Sequence, residues 1–264
     1  MNYDYDWFSA NVALRLKTVA KAIIPHSPAI GLIRQALARS QRLPPLERWR
    51  KGLPSELNFW RGIIYGTNPD REWVAEMQNR IHGRNPFPNH LHQYLNNRST
   101  TRILDVGAGP VTTLGLDAPS QIEVVAVDPL ADAYNKLLDK QRLVPCTRTL
   151  QGEGEHLSEL GLGVFDLVYS RNALDHAHDP IRAISEMLKV CKKGGTVFFE
   201  GAVNESVREY GVGLHQWNFL PIDSGDLVVW QMDKNAISLR CALGEHVHVQ
   251  ASGISWYKVE IRHR

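Results

Sequence analysis

The spacing of apolar positions changes near residue 101, and this change divides the chain in two. Beyond it, the strand-like runs RILDV, IEVVAVD, FDLVYS and GTVFFEG alternate with the helical stretches LADAYNKLLDKQ and PIRAISEMLKVC. A further helix is expected to open at residues 111–115, directly after the first strand. Strands that alternate with helices form parallel sheets with right-handed crossovers, so the pattern predicts an α/β fold with a doubly wound, mostly parallel sheet.

The end of the chain has a different pattern, with four strand-like segments separated by turns. These are DLVVWQ, AISLRCAL, VHVQA and WYKVEIR. We expect them to form antiparallel pairs at or beyond the edge of the sheet. The predicted organisation is a helical N-terminal extension over residues 1–97 and the α/β domain over residues 98–264.

Two amphipathic helices are predicted in the first 50 residues, where apolar side chains recur at helical spacing. Their apolar stripes comprise Val12, Leu16, Val19 and Ile23 in one helix and Ile30, Ile33 and Leu37 in the other. The stripes are narrow and poor in aromatic residues, which favours a lid that packs on the main domain. Because the segment is basic, peripheral contact with an anionic membrane surface or with a partner is the alternative.

Two more helices are predicted before the α/β domain. The segment RLPPLERWRKGLP is interpreted as a basic linker, and Ser55 is expected to cap the helix that contains Trp60. A fourth helix is expected to start within Asn68-Pro69-Asp70, to carry Trp73, Met77 and Ile81 at four-residue spacing and to end at HGRNPFPNH.

The first predicted strand ends in a glycine turn, DVGAG, at the edge where open α/β sheets bind ligands. Gly107 and Gly109 permit positive φ and close approach of a ligand, and the helix expected behind them supplies unpaired N–H groups. Thr112 stands where a dinucleotide fingerprint has its third glycine. Asp105 lies two residues before the turn, where its charge repels a diphosphate and attracts an ammonium group. Together these residues favour a positively charged nucleoside over a dinucleotide.

Asp128 ends the next predicted strand, about 20 residues after the turn, where a carboxylate accepts hydrogen bonds from ribose hydroxyls. From Thr101 to Gly201, the chain resembles the class I S-adenosylmethionine-dependent methyltransferases, whose fold is Rossmann-like. ILDVGAG is similar to the first motif of that family, VVAVDP to the second and GEGEHL to the segment beside the adenine. FDLVYSRNALDHAHDP is similar to the fourth strand with its loop, and LKVCKKGGTVFFEG to the fifth strand with the turn before it.

The resemblance implies S-adenosyl-L-methionine as the cofactor and suggests which residues bind it. It implies Asp128 at the ribose and Glu153 at the adenine amino group, while Val111 departs from the family's third glycine. The complete set of implied cofactor-binding residues is Asp105, Gly107, Ala108, Gly109, Asp128, Pro129, Glu153, Gly154, Arg171 and Asn172.

Two histidines are the candidate catalytic residues. Methyl transfer from a sulfonium mainly requires positioning of the reactants, but a hydroxyl acceptor benefits from a base with a near-neutral pKa. His176 follows the fourth strand and His215 follows the fifth, so either one is a candidate base. The alternative is structural: His176 closes a helix N-terminus over the cofactor, and His215 makes a structural hydrogen bond. No spacing supplies a convincing set of metal ligands, so no metal is expected.

Composition narrows the function further. The formal net charge of +2 gives no support for a nucleic-acid substrate. No signal peptide or transmembrane segment is expected, and the three widely spaced cysteines are expected to be buried and reduced, so we expect a cytoplasmic protein.

The sequence therefore predicts a methyltransferase acting on a small molecule, with methylation at oxygen favoured. The alternatives are a glycan or lipid-linked acceptor, a non-catalytic partner-binding module with the same fold, and a dinucleotide oxidoreductase. The identity of the acceptor and the oligomeric state are not readable from the sequence.

Overall fold

A computed structural model describes residues 43–96, 99–231 and 236–264 of the chain. The two amphipathic helices predicted in the first 50 residues, up to Leu37, lie outside the described residues. The boundary predicted between residues 97 and 98 also falls in an undescribed pair, so the division into domains stays a prediction.

The core of the protein is a seven-stranded sheet with the order β3-β2-β1-β4-β5-β10-β9. Strands β1 to β5 are parallel, whereas β10 pairs antiparallel with both β5 and β9. This arrangement confirms the predicted mostly parallel sheet with antiparallel C-terminal strands. Its strands are β1 Thr101–Val106, β2 Ile122–Asp128, β3 Leu150–Gln151, β4 Phe165–Arg171, β5 Cys191–Ala202, β9 Val247–Ser252 and β10 Trp256–His263.

A smaller antiparallel sheet and six helices complete the described structure. The sheet has the order β6-β7-β8, with β6 at Asn218–Pro221, β7 at Leu227–Trp230 and β8 at Ile237–Ser238. The helices are α1 Pro45–Ile64, α2 Arg71–Ile81, α3 Ala131–Lys140, α4 Pro180–Lys189, α5 Glu205–Arg208 and α6 Leu239–Leu243, and 3₁₀ turns lie at Asn89–Tyr94, Gly154–Leu160 and Leu174–His176. Most of AISLRCAL, predicted as a strand, is therefore helix α6; the Ser238 hydroxyl accepts from Cys241 N and caps it.

Helix α1 begins at Pro45, well before the start that a cap at Ser55 predicts. The segment read as a linker is helical from Pro45, and Pro54 lies inside the helix, so the prediction that Ser55 caps it is wrong. Proline costs nothing at a helix start, and burial of Trp49, Trp60 and Ile63 along one side outweighs the hydrogen bond lost at Pro54. By contrast, the start of α2 is confirmed: Asp70 Oδ1 accepts from Glu72 N and Trp73 N.

The helix predicted after β1 is absent, and the chain runs as an irregular loop over residues 107–121. Local polar contacts and tight packing replace it. The Thr112 hydroxyl donates to Asp105 Oδ2 and accepts from Leu114 N, which turns the backbone away from a helix. A Cβ on Gly115 would lie 1.8 Å from Asn85 O, so the loop packs directly on the preceding segment. Helices α1 and α2 contact Val111 and helix α3 in its place.

The two faces of the large sheet differ in chemistry because strand side chains alternate. One face, here called the apolar face, packs on α4 and comprises Leu104, Val106, Val168, Val197 and Phe199. The other, here called the mixed face, comprises Ile103, Asp105, Tyr169, Arg171, Phe198, Glu200 and Lys258. Phe87 and Leu91 pack on part of the mixed face.

Two further expectations concern burial and membrane crossing. Cys191 is buried, but Cys146 and Cys241 are exposed, which corrects the expectation that all three cysteines are buried. Among the helices that the structure describes, none combines the length and apolar character that a bilayer crossing needs.

Candidate functional site

The glycine turn after β1 lies at the carboxyl edge of the sheet, as predicted, with φ of +73° at Gly107 and +66° at Gly109. Both positions are also closely packed by the protein itself. A Cβ on Gly107 would lie 2.4 Å from the Ala173 side chain, and one on Gly109 would lie 3.3 Å from the Trp60 ring. Positive φ therefore favours glycine at both positions, and at Gly107 the Ala173 side chain also leaves no room for a Cβ. Nothing in the sequence marks Trp60 as part of the site, because a tryptophan on the apolar stripe of a helix resembles any other core residue.

Asp128 at the end of β2 holds the turn in place. Its Oδ2 accepts from Gly109 N at 3.0 Å, and its Oδ1 accepts from Leu130 N at 2.8 Å. Burial raises the pKa of Asp128 to about 6, while these two backbone hydrogen bonds act in the opposite direction. A carboxylate has about four acceptor positions, so these two bonds leave capacity for ribose hydroxyls.

Asp105 is buried on the mixed face, beneath the loop that replaces the expected helix. Burial raises its pKa to about 6, and the hydrogen bond from Thr112 and the charges of Arg80 and Arg171 partly offset that effect. A buried carboxyl in this state gains most from a cationic partner, because the partner compensates for lost hydration. The position of Asp105 therefore fits the predicted attraction for an ammonium group.

The segment after β3 places Glu153 and Gly154 beside the end of β1. Gly154 lies against Val106, and Glu153 Oε2 lies 3.8 Å from His178 Nε2. Glu155, which sequence analysis did not assign, is buried and accepts from His178 N at 2.9 Å and Asp179 N at 3.1 Å. It thereby ties this segment to the start of α4. The only sequence signal for it is a second acid in GEGEH.

Arg171 and Asn172 occupy the end of β4 in different ways. Asn172 has φ of +49°, and its Oδ1 accepts from Ala202 N at 3.0 Å, so it fixes the end of β5. The Arg171 guanidinium lies 5.5 Å from the centre of the Trp256 ring on the mixed face. Contacts of these two residues with the cofactor, and of Ala108 and Pro129, stay predictions.

The structure brings together the two histidines that were predicted independently. His215 Nδ1 lies 2.7 Å from Asp175 Oδ2, and His176 Nε2 lies 3.1 Å from His215 Nδ1. The loops that carry them are joined by the Asp175 carbonyl, which accepts from Gln216 N at 3.0 Å and Trp217 N at 3.2 Å. Asp175 is recognisable in the sequence only as a polar residue of the loop after β4, because its proximity to His215 depends entirely on tertiary structure.

This histidine cluster is partly shielded from water. The Asp175 side chain is 4% exposed, and those of His176 and His215 are 20% and 23% exposed. Burial lowers the pKa of His215, but the hydrogen bond and charge of Asp175 and the charges of Glu205 and Glu209 raise it above its ordinary value overall. If Nδ1 carries the proton that Asp175 accepts, Nε2 keeps the lone pair that a base requires. The 3₁₀ turn that carries His176 begins directly after Ala173, which packs against Gly107, so the cluster adjoins the glycine turn.

Two groups of described residues bring three metal-ligand atoms within 4.8 Å of one another. One is the histidine cluster itself, and the other comprises Glu153, Glu155 and His178. Both groups are already linked by hydrogen bonds or ion pairs within the protein, so neither needs an ion to explain its geometry.

Comparison with known proteins agrees with this geometry. Residues 104–199 match the family described as a methyltransferase domain. The chain is 35% identical over 115 residues to an uncharacterized methyltransferase of Schizosaccharomyces pombe, covering 38% of this chain and 39% of that protein. It is 25% identical over 148 residues to the ubiquinone biosynthesis O-methyltransferase of Methylococcus capsulatus, covering 55% of this chain and 62% of that protein.

The solved structures include the plantazolicin methyltransferase BpumL in complex with S-adenosylhomocysteine, which is 8% identical to this chain with a TM-score of 0.46. That alignment covers 83% of this chain and 99% of the BpumL chain. The chain spans 39% and 62% of the lengths of the two curated relatives.

The mostly parallel sheet, with a glycine turn and Asp128 at its carboxyl edge, has the arrangement typical of nucleotide-binding α/β domains. With the family match, this arrangement supports a class I S-adenosylmethionine-dependent methyltransferase domain over residues 104–199.

Proposed function

We propose that this protein transfers the methyl group of S-adenosylmethionine to an oxygen of a small molecule. The observation that carries the proposal is the hydrogen-bonded cluster of His176, His215 and Asp175. The 3₁₀ turn that carries His176 begins directly after Ala173, which packs against Gly107 of the glycine turn. The curated relative named as an O-methyltransferase gives further, weaker support.

The chain's residues divide the work into binding and proton removal. Asp128 and the backbone of the glycine turn hold the nucleoside, and Asp105 balances the positive charge of the methionyl amine. His215 would take the proton of the acceptor hydroxyl as its oxygen bonds the methyl carbon in line, with the sulfur–methyl bond breaking and S-adenosylhomocysteine leaving. Asp175 orients its ring and stabilises the imidazolium that forms.

Radiolabelled methyl transfer tests this proposal. S-adenosylmethionine with a tritiated methyl group is incubated with matched phenol, aniline and thiol acceptors, and label is expected only in the phenols. His215→Gln is expected to lower turnover by about 10²–10⁴-fold because it removes a general base. His248→Gln is the matched control, since His248 is exposed on β9.

The other outcomes separate the alternatives. Full turnover in His215→Gln would remove His215 as the base, and label confined to anilines or thiols would exclude methylation at oxygen. Cofactor binding without transfer to any acceptor would favour the non-catalytic module.

A further inference from the structure

A cavity of about 530 Å³ lies on the mixed face, beside the irregular loop that follows the glycine turn. Its walls include Thr113 from the irregular loop, Pro86 and Pro88 from the segment before β1, and Arg171 from the end of β4. A crossover helix after β1 would run over this face, so the cavity follows from the replacement of that helix by the loop. Its volume matches the pockets that hold drug-sized molecules, which span about 300–1,000 Å³.

The floor of the cavity is a buried carboxylate whose oxygens are already engaged. Glu200 is 4% exposed and accepts from the Tyr169 hydroxyl at 2.7 Å and from Trp256 Nε1 at 3.0 Å. His90 Nε2 lies 3.2 Å from the same carboxylate. The Tyr169 and Trp256 donors satisfy the oxygens of Glu200 and fix it in the wall, and the carboxylate keeps its negative charge.

Two cations, Lys258 and Arg171, line the cavity together with one carboxylate, Glu200, so the lining carries an excess of positive charge. Lys258 is directly opposite Glu200 on the neighbouring strand, and Arg171 lies over the Trp256 ring. Within residues 43–96, 99–231 and 236–264, neither Arg171 nor Lys258 forms an ion pair within 4.0 Å. Two unpaired cations beside an aromatic and proline-lined wall fit an anionic group on an apolar body.

The cavity also adjoins the reaction site. Thr113 follows Thr112, whose hydroxyl donates to Asp105, and the charge of Arg171 acts on Asp105. From Arg171 the chain continues directly into the turn that carries His176. A molecule held here lies next to the carboxyl edge where the methyl donor is proposed to bind.

We infer that this cavity binds the methyl acceptor, and that the acceptor carries a carboxylate or phosphate group paired with Lys258 and Arg171. The identification of the ligand as the methyl acceptor rests on the proposed function, whereas the charge preference of the cavity can be measured without the cofactor.

Ligand-observed NMR with benzoate, phenyl phosphate and benzamide tests the charge preference of the intact protein. At least one anion is expected to bind about tenfold more tightly than neutral benzamide. The anion with the higher affinity identifies the acceptor's charged group as a carboxylate or a phosphate. Lys258→Gln is expected to remove that advantage. Lys193→Gln, on an exposed lysine at the opposite end of β5, is expected to leave it intact. Benzamide binding is expected to be the same in all three proteins.

Equal binding of benzamide and the anions, or an unchanged anion preference in Lys258→Gln, would overturn the inference. A second arm uses 4-hydroxybenzoate, 4-hydroxyphenyl phosphate and 4-hydroxybenzamide as methyl acceptors. An anionic phenol is expected to have the higher kcat/KM, and Lys258→Gln is expected to lower it mainly through KM. Preferential methylation of the neutral phenol would overturn the assignment as acceptor pocket.

S-adenosylhomocysteine titration keeps the two proposals distinguishable. Lys258→Gln is expected to bind it like the unchanged protein. Loss of binding in every protein would contradict the proposed function while leaving the measured anion preference in place.

Discussion

The two faces of the large sheet show how one set of strands separates packing from chemistry. Phe199 and Glu200 are neighbours on β5 and both are buried, yet Phe199 packs in the apolar core and Glu200 holds a polar network. Helix α4 covers the apolar face with a continuous row of aliphatic side chains. An irregular loop covers the mixed face and leaves room for a ligand. Substitutions on the two faces should therefore affect different properties.

The largest expected effect on stability lies on the apolar face. Phe199→Ala leaves a cavity at a fully buried position and is expected to lower the free energy of unfolding by about 3–5 kcal/mol. Denaturant unfolding of the two proteins measures the difference. A loss below about 1 kcal/mol would show that this face is less tightly packed than the structure indicates.

The next effect is on cofactor binding, with a smaller loss of stability because Gly109 N and Leu130 N lose their acceptor. Asp128→Ala removes a carboxylate proposed to bind ribose and is expected to weaken S-adenosylhomocysteine binding by about 1–3 kcal/mol. Asp132→Ala, on a neighbouring acid in the first turn of α3, is the control. Unchanged affinity in Asp128→Ala would place the ribose elsewhere.

The affinity for the cofactor is expected to change with pH by a similar amount, because Asp105 on the mixed face titrates. The pKa of Asp105 is about 6, above its ordinary value of 3.8, so the cation-binding carboxylate forms only as pH rises through 6. Cofactor affinity is therefore expected to fall by up to about tenfold per pH unit below this value. Asp128 has a similar pKa and adds to the slope, so Asp105→Asn is expected to leave only the Asp128 contribution.

Stability should change in the opposite direction over this range. The folded state binds the Asp105 proton more tightly than the unfolded state, so this stabilising contribution is present near pH 3.8 and lost as pH rises through 6. Affinity and unfolding measured on the same samples separate the two effects. A cofactor affinity that is flat between pH 5 and 7 would contradict the role of Asp105, because titration near 6 then leaves binding unaffected.

The smallest expected effect on stability comes from the loss of a polar contact on the mixed face, in contrast to the loss of apolar packing at Phe199. Tyr169→Phe keeps the ring but removes the hydroxyl that donates to Glu200, at an expected cost of about 0.5–1.5 kcal/mol in unfolding free energy. Anion binding in the cavity should weaken as well, since Glu200 loses a compensating donor. A cost as large as that of Phe199→Ala would show that both faces are primarily structural.

The sequence predicted those parts of the fold that depend on local pattern. The parallel strands, the glycine turn and Asp128 at the end of β2 follow from alternating apolar runs and strand-end residues. The start of α2 at Asp70 follows from its capping side chain. These features depend on side chains within a few positions of each other, so a single sequence contains their signal.

The errors occurred where distant contacts override local preference. Gly115 packs on Asn85, which favours a loop where the pattern predicts a helix. Helix α1 runs through Pro54 because its apolar side chains are buried against the domain. The contact between His215 and Asp175, and the pairing of Lys258 opposite Glu200, join residues 40 or more positions apart. Nothing in the local sequence reports such contacts.

Titration calorimetry with S-adenosylhomocysteine at neutral pH tests the central claim most directly. One site per chain with a dissociation constant in the micromolar range is expected, with no measurable heat from NAD(H). Asp128→Ala should bind S-adenosylhomocysteine more weakly, and it should unfold as cooperatively as the unchanged protein. Tighter binding of NAD(H), or no binding of S-adenosylhomocysteine by the folded protein, would contradict a methyl-donor site at this edge of the sheet.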